Sequence, residues 1–117
     1  MTTEPDGNAT ARAQALLHSI GAQARQSNLL RVVELSEAVV SLGRGELSCV
    51  GRERAIDVAH QLVGSAGTFG YQRASALARE VEVLLRRPEV EPGAGQLAAA
   101  ARSLALIEQD LSGDPDD

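Results

Sequence analysis

Asp57-Val58-Ala59-His60-Gln61-Leu62-Val63-Gly64-Ser65-Ala66-Gly67-Thr68-Phe69-Gly70 is the stretch that decides the fold of this 117-residue chain. Its apolar residues recur at helical rather than strand spacing, and no proline interrupts it. Projected at about 100° per residue with His60 at zero, Ala55, Val58, Ala59, Leu62, Ala66 and Phe69 fall between roughly 160° and 260°. That arc is the expected buried side. His60 lies nearly opposite its middle, with Gly64 and Gly67 within roughly 40° of it and with Glu53 and Asp57 nearby.

Two glycines on one exposed helical face need a reason, because glycine inside a helix costs about 1 kcal/mol relative to alanine. Side chains four and seven residues after His60 would crowd its ring, so their absence leaves room for a partner protein or a phosphoryl group. Imidazole titrates close to neutrality, and its neutral form offers a lone pair as a nucleophile. An ordinary surface histidine next to a helix C-terminal glycine meets the same spacing, so geometry alone leaves both readings open.

Working outward, proline occurs only at Pro5, Pro88, Pro92 and Pro115, and the stretch between Asp6 and Arg87 is rich in Ala, Leu, Arg and Glu. Five helical segments follow from apolar spacing. The first covers about Thr10 to Gln26, with Ala13, Leu16, Leu17, Ile20 and Ala24 on one face. Ser27 or Asn28 could cap the second, which runs to about Leu42 and ends at Gly43-Arg44-Gly45. The third covers Ser48 to Phe69, with Gly51 a weak point. The fourth covers Gln72 to Arg86 and is closed by Arg86-Arg87-Pro88. A polar linker, Pro88 to Gly95, leads to the fifth, Gln96 to Leu111. Strand signals are absent. One-sided helices joined by short loops imply an all-α fold, an antiparallel four-helix bundle with an additional N-terminal helix. A coiled-coil dimer competes, but no heptad persists through Gly43, Gly45 or Pro88. The expected division is a disordered tail over 1–8, the bundle over 9–111, and a disordered acidic tail over 112–117.

Composition narrows the function. The length suits one domain, large enough to need no disulfide or metal for its stability. A single cysteine, Cys49, suggests a reducing compartment, and no signal peptide or membrane-spanning run is visible, so a cytoplasmic location is expected. Net charge is -5, and Phe69 and Tyr71 are the whole aromatic inventory, which argues against nucleic-acid binding. All 11 cationic side chains are arginine. Between Leu29 and Arg86 the charges balance, so the negative excess lies outside this segment, much of it in the tails and the linker.

Ala59-His60-Gln61-Leu62-Val63-Gly64-Ser65-Ala66-Gly67, followed by Phe69-Gly70 and an Ala/Leu helix, resembles the histidine phosphotransfer (HPt) domain of multistep phosphorelays. The family pattern Ala-His-x-Leu-Lys-Gly-Ser-Ala is matched at Ala59, His60, Leu62, Gly64, Ser65 and Ala66. The resemblance implies a helical bundle that carries phosphate without hydrolysing ATP. His60 would accept a phosphoryl group from the aspartate of a receiver domain and pass it to another response regulator. Receiver domains, and a hybrid histidine kinase, are the implied partners. The receiver would supply Mg²⁺, so the chain needs no cofactor of its own, and a monomer is expected. Gly64 and Gly67 would keep the site open, and Asp57, Gln61, Ser65 and Arg73 are candidates for polar contacts around it. One departure stands out: the family usually has lysine where this chain has Val63. Val63 and Ile56 flank the site as either a docking patch or the fringe of the core. With no lysine anywhere, Arg52, Arg54 or Arg73 is left to supply positive charge. The departure favours the alternative of an adaptor that binds a receiver or kinase without phosphotransfer.

Other signals carry less. Gly64-x-x-Gly67-x-x-Gly70 lacks the preceding strand and the Gly-Lys-Ser/Thr ending of a phosphate loop. His18 falls between the core positions Leu17 and Ile20, at the boundary of the buried face, without further ligands at helical spacing. Cys49 reads as a small apolar residue rather than a nucleophile. Glu80 and Glu82 point to different faces and form no catalytic carboxylate pair. Asp57, three residues before His60, is placed to orient the ring, though such exposed pairs couple weakly.

Overall fold

The computed structural model describes residues 5–87 and 92–116; residues 1–4 of the expected N-terminal tail, residues 88–91 of the linker and Asp117 lie outside them. Four helices follow in order: α1 (Pro5–Gly43), α2 (Cys49–Thr68), α3 (Gln72–Leu85) and α4 (Ala94–Leu111), and the described residues contain no strand. The fold is the expected all-α bundle, with one difference at its start. The two segments expected to be separated at Ser27 or Asn28 form one uninterrupted helix of 39 residues. The additional N-terminal helix is therefore the front half of α1, and the back half is the first helix of the bundle.

Asn28 shows why no break occurs there. It is 1% exposed, and its side chain is held inside the bundle rather than turned back to cap a helix. Its Nδ2 donates to Ser65 Oγ at 3.1 Å, and its Oδ1 accepts from Arg31 Nη1 at 2.7 Å. A buried amide satisfied on both sides is tolerated in a core, and here it fixes α1 against α2.

Each bundle helix packs against two neighbours in the cycle α1–α2–α3–α4. Asn28 meets Ser65 and Glu34 meets Arg54, so α1 and α2 run antiparallel. Arg52 reaches the carbonyl of Leu85, His60 reaches Glu82 and Ser75 reaches Val63, so α2 and α3 do too. The core is almost entirely Leu, Ile, Val and Ala, with Leu35, Leu62, Leu85, Ile107 and Leu111 fully buried. Tyr71, rather than Phe69, is its buried aromatic residue, and Phe69 packs half-buried against it.

Nothing between Asn8 and Ser27 is buried. Leu16, Leu17 and Ile20, expected to face inward, are 61%, 67% and 40% exposed, and His18 is fully on the surface with them. Periodicity identifies an apolar stripe but not what covers it. At about 1.5 Å per residue α1 is roughly 58 Å long, about twice the length of any other helix, which explains the 70 Å long axis of the molecule.

Helix α2 starts and stops where its sequence expects. Ser48 is its N-cap, Oγ accepting from the Gly51 amide at 2.9 Å. It ends at Thr68, and Gly70 adopts φ +90°, a left-handed turn that suits glycine and sends the chain into α3. The end of α4 departs from expectation. Residues 112–116, expected to be a disordered tail, fold back over this turn. Gly113 accepts a 3.0 Å hydrogen bond from the buried Tyr71 hydroxyl, and Asp116 accepts one from the Arg73 amide at 3.4 Å.

Candidate functional site

His60 sits in the middle of α2, a residue on a regular helix rather than a loop, so its Cα position is fixed by the core beneath it. Ala55, Val58, Ala59, Leu62 and Ala66 are buried below, the arc drawn from the sequence. The imidazole projects outward, and its side chain is 71% exposed. Gly64, one turn on, has nothing within 4 Å of where a Cβ would be. The ring therefore stands on an unobstructed surface toward the C-terminal end of the helix.

The buried arc is wider than the projection, because α3 covers one flank of α2. Val63 is only 7% exposed, and its carbonyl accepts a 2.7 Å hydrogen bond from Ser75 Oγ. Of the two readings left open for Val63, core fringe is the one the packing supports; Ile56 is half-buried against the same core. Gly67 belongs to this interface as well. A Cβ there would lie 3.3 Å from Ser75 Oγ and 3.8 Å from Ser75 Cβ, so its missing side chain serves the close approach of α3. Gly64 and Gly67 thus have different physical roles.

The packing of α3 brings up the group that sequence reasoning missed. Glu82 is 6% exposed, and its Oε2 lies 3.1 Å from His60 Nδ1. The same oxygen accepts from Arg86 Nη2 at 2.8 Å and Nε at 3.0 Å. Burial pushes the Glu82 carboxyl up. The hydrogen bonds from Arg86 and His60, together with their charges, outweigh that and hold it below the usual carboxylate range. An ionised carboxylate only accepts, so Nδ1 donates the ring proton to Glu82, and in the neutral tautomer that this contact selects the lone pair is on Nε2. A signal existed: Glu82 follows Ala78 by one turn and precedes Leu85 by three residues, on the edge of the α3 apolar stripe. Its pairing with a residue on α2 depends on how the helices align, which no single-helix projection contains.

The other candidates are dispersed. Ser65 faces α1 and is engaged by Asn28. Arg73 is bound to Asp110 through Nε at 2.9 Å and Nη2 at 2.7 Å, a forked pair that raises its pKa further. Asp57 and Gln61 are exposed on the helix beside His60, but the carboxylate that reaches the ring is that of Glu82. Arg52 donates to the carbonyls of Leu85 and Arg87, capping the negative end of α3, and Arg54 pairs with Glu34. All three arginines proposed to stand in for the missing lysine are thus spent elsewhere. Cys49 is exposed at the first position of α2. Among the described residues no group of three or more His, Cys, Asp and Glu side chains is arranged to hold a metal ion, and no helix is long and apolar enough to cross a membrane.

The family model of the Hpt domain matches residues 47–113, a span that includes α2, α3 and α4 and has His60 within it. No curated protein and no solved structure matches the chain.

Proposed function

Because the chain belongs to the Hpt domain family, we propose that it is a phosphocarrier of a phosphorelay, with His60 as the residue that bears the phosphoryl group. The observation that carries this reading is the pairing of an exposed imidazole with a buried carboxylate on its far nitrogen. In the transfer, the Nε2 lone pair forms an N–P bond as the P–O bond to a receiver's phospho-aspartate breaks, and the aspartate carboxylate leaves with the electron pair. The Nδ1 proton stays in place. The ring becomes cationic as the bond forms, and the Glu82 carboxylate offsets that charge without having to move.

The division of labour follows from what this surface provides. It presents a nucleophile, its orienting carboxylate and the clear ground at Gly64. The aspartyl phosphate and its Mg²⁺ come with the receiver, and the transfer back to a second response regulator is the same step reversed. Such a carrier has no kinase or ATPase activity of its own and works in the cytoplasm, as a monomer. Gln61 and Asp57, exposed on α2 beside His60, are side chains that a docked receiver would meet.

Val63, which replaces the family's lysine, favours one other reading, an adaptor that binds a receiver or kinase without accepting phosphate. Incubation with phosphorylated receivers from the same organism separates the two. Acid-labile label on the chain, lost in His60→Gln, is the expected result. Label that persists in His60→Gln would overturn the assignment of His60, and complex formation without transfer would favour the adaptor.

A further inference from the structure

We propose that Arg86 is the cation that binds the phosphoryl group on His60, taking from α3 the charge that Val63 does not supply from α2. This rests on the phosphocarrier reading. The argument begins with the two hydrogen bonds from Arg86 to Glu82 Oε2, the same oxygen that contacts His60 Nδ1. Through that shared atom Arg86 Nη2 lies within about 6 Å of His60 Nδ1, which one ring carbon separates from Nε2. It is anchored there with its side chain still 54% exposed, and the His60 side chain across the same carboxylate oxygen is 71% exposed.

A guanidinium has five N–H donors in a planar fork, and Arg86 directs only its Nε and one Nη at Glu82. The donors of the remaining Nη are available to phosphoryl oxygens without breaking the contact that orients the ring. Electrostatics favours the exchange. In the resting state the Arg86 guanidinium and the Glu82 carboxylate offset each other beside the imidazole. Phosphorylation adds a dianionic group and makes the ring cationic, so Glu82 turns from serving Arg86 to serving the ring, and Arg86 is drawn to the phosphoryl oxygens. Arg52, Arg54 and Arg73, the other arginines considered for this role, are held by the α3 carbonyls, Glu34 and Asp110.

The test uses the full chain and potassium phosphoramidate, whose P–N bond breaks as the His60 Nε2–P bond forms and whose nitrogen leaves as ammonia. His60 labelling is followed by mass spectrometry and ³¹P NMR for wild type, Arg86→Ala and Arg86→Lys, with circular dichroism to check that each remains helical. Arg86→Ala is expected to label about tenfold more slowly, and Arg86→Lys to recover most of that loss. In wild type, the Arg86 Nη–H resonances are expected to shift on phosphorylation by more than its Nε–H, while those of Arg73 stay put, a pattern that loosening of the Glu82 contact alone would not give. Equal labelling of wild type and Arg86→Ala at His60, or Arg86 Nη–H resonances that do not move, would overturn the role of Arg86 and leave the carrier standing. A wild-type chain that takes no label at His60, from phosphoramidate or from receivers, would overturn both.

Discussion

Glu82 Oε2 lies 3.1 Å from His60 Nδ1 and joins two residues on different helices into a single unit. The contact needs α2 and α3 in the register that Ser75 and Val63 also record, with Oγ 2.7 Å from the carbonyl. It makes the geometry around the imidazole a property of the packed bundle.

The depressed carboxyl of Glu82 sets a pH dependence. A group whose pKa is lower in the folded state stabilises above its unfolded value, about 4.3 for glutamate, and loses that contribution as pH falls through the folded value. Wild type should therefore exceed Glu82→Gln in stability near neutrality by roughly 1–2 kcal/mol, the range for a hydrogen bond to a charged group. The gap should close below the ordinary carboxylate range. Urea titrations of both proteins between neutral and acid pH check this, and a constant gap would contradict it. On the carrier reading, Glu82→Ala should also slow labelling of His60 by roughly tenfold or more.

Gly64 and Gly67 should respond in opposite ways to the same substitution. Gly64→Leu fills open space and gains helix propensity, so the melting temperature should hold or rise by a few degrees while transfer from a phosphorylated receiver is blocked. Gly67→Leu drives a side chain into Ser75 and should lower the melting temperature by several degrees. Thermal melts, together with a transfer assay on Gly64→Leu, decide both points. Unimpaired transfer in Gly64→Leu would refute the steric argument.

The front of α1 contributes little to the core. Because burial begins at Asn28, a chain lacking residues 1–26 should keep the bundle, with a melting temperature within about 5 °C of the full chain. Differential scanning calorimetry of the shortened chain is the measurement. A collapse of cooperative unfolding would show that the exposed stripe at Leu16, Leu17 and Ile20 is needed for the fold.

The folded-back C-terminal segment should have a measurable share of stability. Tyr71→Phe removes the hydroxyl that donates to Gly113 while leaving the ring in place, at an expected cost of about 1 kcal/mol. Chemical denaturation gives the difference directly, and deletion of residues 113–117 should reproduce most of it.

Helix α2 was largely legible in the sequence, and its surroundings were not. Five of the six residues projected onto its buried arc are buried, His60 is exposed, and the boundaries Ser48 and Phe69 are its caps. Those features depend only on spacing and cap chemistry, which are local. Val63 was undecided because it sits at the edge of the arc, where the neighbouring helix determines burial. The break expected at Asn28 failed for a related reason: the same side chain that caps a helix also satisfies a buried contact to Ser65, and tertiary packing chose the second. The acidic tail reads as unstructured by composition, yet the Tyr71 hydroxyl gives it a partner. Glu82 could be excluded as half of a carboxylate pair, but its contact with a residue 22 positions earlier belongs to the helix pairing alone.

The composite origin of the site has a consequence for fidelity. His60 alone is an unremarkable imidazole, present in any unfolded or partly translated chain. The oriented tautomer and the adjacent cation exist only where α2 and α3 have docked to hold Glu82 between His60 and Arg86. On the carrier reading, a damaged molecule would not compete for phosphate with intact ones: the histidine certifies that the chain bearing it is folded before it joins the relay.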